Sequence, residues 1–210
     1  EAVDALYNKY GLTLIGWWIP GHEYLISSKP IPDVAPIKDF KFRRPPGMGS
    51  MIFTTLGANP IVMDFGEVPT ALQTGLIDGA DYSSLATNYA GGHYENNKYA
   101  TYPGFHSMPA DHLACNTKVW NKLKPHERGA MKAGIEIAGR TITSLVERKN
   151  AEAVKALNEM GVTLHDWSRE DRLKFRNAAL GAWEEWKKKS PEAAALIDIH
   201  TAYMKANGIL

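Results

Sequence analysis

Two adjacent arginines, Arg43 and Arg44, close the run Phe40-Lys41-Phe42-Arg43-Arg44, and a guanidinium is the side chain best suited to hold an acid. It is planar, permanently charged, and offers parallel donors in a fixed fork that matches a carboxylate two bonds at a time. Lys41-Phe42-Arg43 reads as a strand, and strand neighbours point to opposite faces. Only one of the two can therefore face a binding crevice; we read Arg43 as that residue and Arg44 as its surface neighbour. Other reactive patterns are sparse. No H-E-x-x-H, Walker A or G-x-S-x-G pattern occurs. The single Cys115 sits in the apolar run His112-Leu113-Ala114-Cys115 without a base beside it, which reads as a buried strand rather than a nucleophile. His93, Glu95 and Asn96 fall in the Gly/Asn-rich stretch 91–97, which is more simply a turn.

The elements that must position these residues alternate. Val3, Leu6, Tyr7 and Tyr10 have helical spacing and stop at Gly11; residues 12–19 then read as a buried strand. Proline crowds residues 20–47, which predicts loops around one strand at 41–43. Helices are expected at about 50–56 and 66–74, each stopped by a glycine, with strands at 60–63 and 77–81 between and after them. This cadence argues for βα units and a largely parallel sheet. A further strand at 112–116 precedes a short helix near Val119. Pro125 opens a long apolar-striped pattern through Met131, Ile135, Ala138, Ile142, Leu145 and Val146 that runs to Met160. Such a helix is about 50 Å long, more than one small lobe requires, and suits either ordinary packing or a beam shared by two lobes. A strand at 162–164, a helix from Ser168 to about Lys189 and a last helix from Pro191 complete the reading.

Composition excludes some classes. The formal net charge of +1 gives no global field for nucleic acid or an anionic membrane, and no apolar run approaches the ~18 residues a membrane span needs. Six Trp, nine Tyr and six Phe are enough to line a small-molecule pocket, although core filling is their commoner use.

Three stretches resemble the solute-binding proteins of TRAP transporters. They are Phe40-Lys41-Phe42-Arg43-Arg44-Pro45, Leu56-Gly57-Ala58-Asn59-Pro60-Ile61-Val62-Met63, and the helix from Gly66 running into Thr74-Gly75-Leu76-Ile77-Asp78-Gly79. The last is the most specific, and all three follow the family's order. The resemblance implies an α/β, bilobed periplasmic-binding-protein fold with a long spanning helix, the first lobe being incomplete in this chain, which starts abruptly in what looks like mid-helix. It places residues 1–20 and 108–145 in the first lobe and hinge, and 21–107 and 146–210 in the second, with the spanning helix over 125–160. It implies a binding protein, not an enzyme, working in the periplasm, with TRAP membrane subunits as partners, no nucleic acid and no membrane insertion.

The same resemblance assigns site residues. Arg43 would grip a ligand carboxylate. Sialic-acid-type relatives carry a second Arg where this chain has Glu23, and α-keto-acid-type relatives, the nearest type, have an amide there that helps bind a metal. Asp81-Tyr82 matches the acid–aromatic pair those relatives place at the metal. Glu23, Asp81 and Tyr82 are thus the expected metal ligands, with Trp18, Phe65, Phe105 and His106 around the solute. Two carboxylates and a bound acid against one Arg leave excess negative charge, costly in a dry cleft. A bridging Na⁺ or Ca²⁺ would offset it, as would an ammonium group on the ligand. The solute expected on this reading is a small α-keto or α-hydroxy acid. Two other readings stay open: a metal-dependent hydrolase built on Glu23, Asp81 and His106, and an ABC-type periplasmic binding protein, which shares the bilobed plan without the three motifs.

Overall fold

The computed structural model describes residues 1–44 and 47–210; Pro45, the last residue of the first family-like stretch, lies outside them. Along the chain run α1 (Ala2–Lys9), β1 (Leu12–Trp18), β2 (Tyr24–Ser27), β3 (Lys41–Arg44), α2 (Met48–Thr55), β4 (Asn59–Val62), α3 (Val68–Gln73), β5 (Gly79–Ser83), α4 (Leu85–Ala90) and β6 (Tyr99–Thr101). There follow β7 (Asp111–Asn116), α5 (Thr117–Trp120), α6 (Pro125–Glu159), β8 (Thr163–His165), α7 (Arg169–Lys187) and α8 (Pro191–Ala206). Short 3₁₀ turns at Ala35–Ile37 and Phe65–Glu67 complete the set. No helix among the described residues is long and apolar enough to cross a membrane.

The chain divides into two compact units. One comprises residues 1–20, 110–144 and 183–210, the other 21–109 and 145–182. Residues 183–210 therefore group with the first unit, whereas the sequence reading set 146–210 wholly in the second; α6 contributes residues to both.

In the first unit, β1 pairs antiparallel with β7 from Leu12↔Asn116 to Trp18↔Asp111, with a bulge between Leu14 and Gly16. The Asn116 side chain caps α5 by accepting from Lys118 and Val119 N–H, and Ser190 caps α8 by accepting from Ala193 N–H. Trp18 is half-buried on β1, with its Cβ against Gly139 of α6.

The second unit is built on a six-stranded sheet in the order β4-β3-β5-β2-β6-β8. β3 runs parallel to β4 and β5, and β6 parallel to β8, but β2 is antiparallel to both β5 and β6. The expectation of a largely parallel sheet thus needs correcting at its middle. β2 lies in the proline-rich stretch read as loop. All four of its residues are buried, so it lacks the apolar–polar alternation that marks a half-buried strand. α4 and β6 were likewise not anticipated; both are short.

Alternation along the strands feeds two cores on opposite faces of this sheet. Tyr24, Ile26, Ala80 and Tyr82 join Val68, Leu72, Leu85 and Leu157 on one face. Leu25 and Phe42 join Phe53, Trp167 and Phe175 on the other. Helices α3, α4 and the end of α6 cover the first face, and α2 and α7 the second. Asn150 ties α6 to this framework: its Oδ1 accepts from Ala86 N–H at 2.9 Å and its Nδ2 donates to the Tyr24 hydroxyl at 3.4 Å.

Candidate functional site

β3, β4, β5 and β6 all end at one edge of the sheet, and antiparallel β2 begins there. Loops beyond the carboxyl ends of parallel strands are the customary place for ligands in α/β sheets, because converging loops there form a crevice on a rigid frame. This edge gathers Glu23 just before β2, Arg43 and Arg44 ending β3, Phe65 after β4, Asp81 and Tyr82 on β5, and Phe105 and His106 after β6. Seven of the eight predicted site residues are therefore brought to one edge. The eighth, Trp18, belongs to the other unit.

Alternation splits the two arginines between the faces, but both are buried, at 5% exposure for Arg43 and 7% for Arg44. Arg44 is not the surface residue that the sequence suggested. It forms an ion pair with the Asp81 carboxylate and lies over the Phe53 ring, 4.7 Å from its centroid. Gly49 in α2 makes the room, since a Cβ there would collide with the guanidinium. Burial lowers the Arg44 pKa to about 10, which leaves it charged at neutral pH.

Arg43 emerges on the other face, beside a stack of Phe65 and Tyr82 whose ring centroids are 3.9 Å apart and nearly parallel. Its Cζ lies 5.9 and 6.0 Å from those two centroids, within the range of cation–π attraction. Its Nη1 donates to the Asp81 backbone carbonyl at 2.9 Å, its Nη2 makes a 3.5 Å contact with the Met63 carbonyl, and its buried Nε has no partner. Burial lowers its pKa as well.

Asp81 ties the group together. One carboxylate oxygen faces Arg44 and the other bonds His106 Nε2 at 2.9 Å. The His106 ring is buried and packs near Phe105 and Phe175. Burial, and then the Arg44 charge, push its pKa down to about 3 against the pull of Glu23. It is therefore neutral at pH 7, and its bond to Asp81 is a hydrogen bond, not an ion pair. Gly104 lets this loop come close to β2: a Cβ there would stand 2.5 Å from His22 Cβ and 3.2 Å from the Glu23 carbonyl. Glu23 N–H donates to the Ser107 carbonyl at 3.0 Å, fixing the half-buried Glu23 beside the loop. Carboxylate or imidazole atoms of Glu23, Asp81 and His106 then lie within 4.8 Å of one another.

That spacing could admit a metal ion, but the donors do not fit the Na⁺ or Ca²⁺ expected from the sequence. Hard cations take several oxygens, whereas both Asp81 oxygens are engaged and a guanidinium occupies the same shell. Tyr82 is stacked on Phe65. The electrostatic case is also weaker, because with Arg44 counted two guanidiniums stand against two carboxylates and a bound acid, an excess of one negative charge where the sequence implied two. Arg44 is the residue the sequence reasoning missed. The Arg-Arg pair was visible, but its partner is 37 positions away in sequence.

The family profile described as bacterial extracellular solute-binding protein, family 7 (DctP), matches residues 1–189. A solved TRAP periplasmic solute-binding protein from Rhodobacter sphaeroides, in an apo open form, is 36% identical with a TM-score of 0.79, over 99% of this chain and 66% of that one. The sialic acid-binding periplasmic protein SiaP of Vibrio cholerae is 24% identical over 87% of this chain and 56% of its own length. A monocarboxylate 2-oxoacid-binding periplasmic protein of Nostoc is 27% identical over 75% and 43% respectively. The chain thus spans about half the length of the curated relatives it matches.

Proposed function

The chain belongs to the bacterial extracellular solute-binding proteins of family 7, a family of binding proteins and not of enzymes, and from that premise we propose that it captures a small organic acid in the periplasm for delivery to TRAP membrane subunits. The observation that carries this reading is the unspent half of Arg43. Nη1 is committed to Asp81, while Nε has no partner and Nη2 has only a long contact. Nε and Nη2 are the side-on pair that a carboxylate accepts from in two parallel bonds. A buried donor without an acceptor costs about 1–3 kcal/mol, so a solute carboxylate supplies what the fold withholds. Phe65, more than half exposed, and Tyr82 offer a flat apolar wall beside it. Phe105 and Glu23 complete the proposed surroundings, and the solute is an acid with a second polar group near its carboxylate, of the α-keto or α-hydroxy kind.

Binding without turnover distinguishes this reading from a hydrolase, and the TRAP family likeness supports it over an ABC-type receptor. The test is a thermal-shift screen of organic acids on the product of the complete gene, with and without EDTA. A true solute raises the melting point by mass action; the shift should survive EDTA and vanish in Arg43→Ala. A normal shift in that variant would move the anchor elsewhere.

A further inference from the structure

The hydrogen-bonding inventory of this edge is closed around Asp81 and open around Glu23. Arg44 and His106 take the two Asp81 oxygens. The Glu23 carboxylate, by contrast, has no hydrogen-bond or ion-pair partner among the described residues. Yet its charge acts on Arg43, Arg44 and His106 alike. His106 adds a second unfilled acceptor. Its Nε2 faces a carboxylate, which only accepts, so the ring proton sits there and the buried Nδ1 is left without a partner. Arg44 Nε, in the guanidinium that lies over Phe53, is a buried donor without a hydrogen bond, whereas the groups left open beside Asp81, the Glu23 carboxylate and His106 Nδ1, are acceptors.

We infer that the solute carries a hydrogen-bond donor beside its carboxylate, a hydroxyl or an ammonium, which Glu23 receives, so that the protein selects 2-hydroxy or 2-amino acids over 2-oxo acids. A 2-oxo oxygen would turn its lone pairs toward the Glu23 carboxylate and leave it unsatisfied. A bridging cation would cure this only with a second free carboxylate, and Arg44 has claimed that of Asp81. Arg44 thereby acts as a built-in counter-ion and a positioning residue. The inference rests on the proposal that Arg43 binds an acid.

Calorimetric titration of the complete gene product tests it, in sodium-free buffer with EDTA, using trios that share a skeleton: lactate, alanine and pyruvate; mandelate, phenylglycine and phenylglyoxylate. In any trio that binds, the hydroxy or amino acid should be favoured by at least about tenfold over the oxo acid, the value of one unmet buried hydrogen bond. Comparison of the hydroxy and amino arms identifies the donor. Glu23→Gln should reduce the preference to about threefold or less while binding still depends on Arg43. Equal or tighter binding of the oxo acid, or oxo-acid binding that appears only on adding sodium or calcium, would overturn the inference and leave the acid reading standing. No binding in any trio would overturn both.

Discussion

Arg43 and Arg44 are neighbours on one strand, nearly equal in burial and opposite in use. Arg44 is held by Asp81, capped by Phe53 and accommodated by Gly49. Arg43 makes one good hydrogen bond to a backbone carbonyl and keeps its side-on donors unspent beside the exposed Phe65 ring, which stacks on Tyr82. Burial alone would call both structural. Each has a buried Nε without a hydrogen bond, so what separates them is the charge partner: Arg44 is paired with the buried Asp81 carboxylate, whereas Arg43, the proposed anchor, is paired with no carboxylate among the described residues.

The sharpest way to break this contrast is to remove each charge in turn. Arg44→Met leaves Asp81 buried without its counter-ion and should cost about 3–5 kcal/mol in denaturant unfolding. Arg43→Met removes a group that pairs with no carboxylate and should cost clearly less. Equal losses would mean that the two residues do the same work. His106 provides the second test. Its folded-state pKa, about 3, lies below the unfolded value near 6.5, so between these limits the unfolded chain holds the extra proton. Its contribution to stability is therefore intact above about pH 6.5 and is lost as pH falls toward 3, by up to about 1.4 kcal/mol per pH unit. Thermal unfolding across that window should be less pH-dependent in His106→Gln, and an unchanged slope would show that the ring is not held neutral.

Smaller effects sharpen the picture. Gly49→Ala pushes a methyl into the Arg44 guanidinium and should destabilise by about 1–3 kcal/mol; a neutral result would mean that the Arg44 pocket is slack. Phe65→Ala, at a residue 53% exposed, should change stability by no more than about 0.5 kcal/mol while weakening solute binding in calorimetry. A large stability loss would mark Phe65 as core rather than wall.

These contrasts were only partly legible in the sequence. Arg43 could be singled out because the stretch Phe40 to Pro45 resembles the family's strand ending in Arg and Pro, and the α/β cadence followed from local periodicity and glycine stops. β2 could not, since a strand buried on both faces carries no alternation and its surroundings are rich in proline. The role of Arg44 was hidden for a different reason. Its pairing with Asp81, and that of Asp81 with His106, bridge positions 37 and 25 apart, and only the sheet order β3-β5-β2-β6 brings them together. Counting a single arginine called for a metal; one of the two missing positive charges was the very next residue.

Capture of an acid by this protein depends on the fork of Arg43. The most direct measurement is the affinity of the tightest-binding acid for the complete gene product and for Arg43→Lys, which keeps the charge and loses the planar pair of donors. A drop of about a hundredfold or more, about 2.7 kcal/mol, with an unchanged melting point in the absence of ligand, is the predicted result. Wild-type affinity in the lysine variant would contradict it.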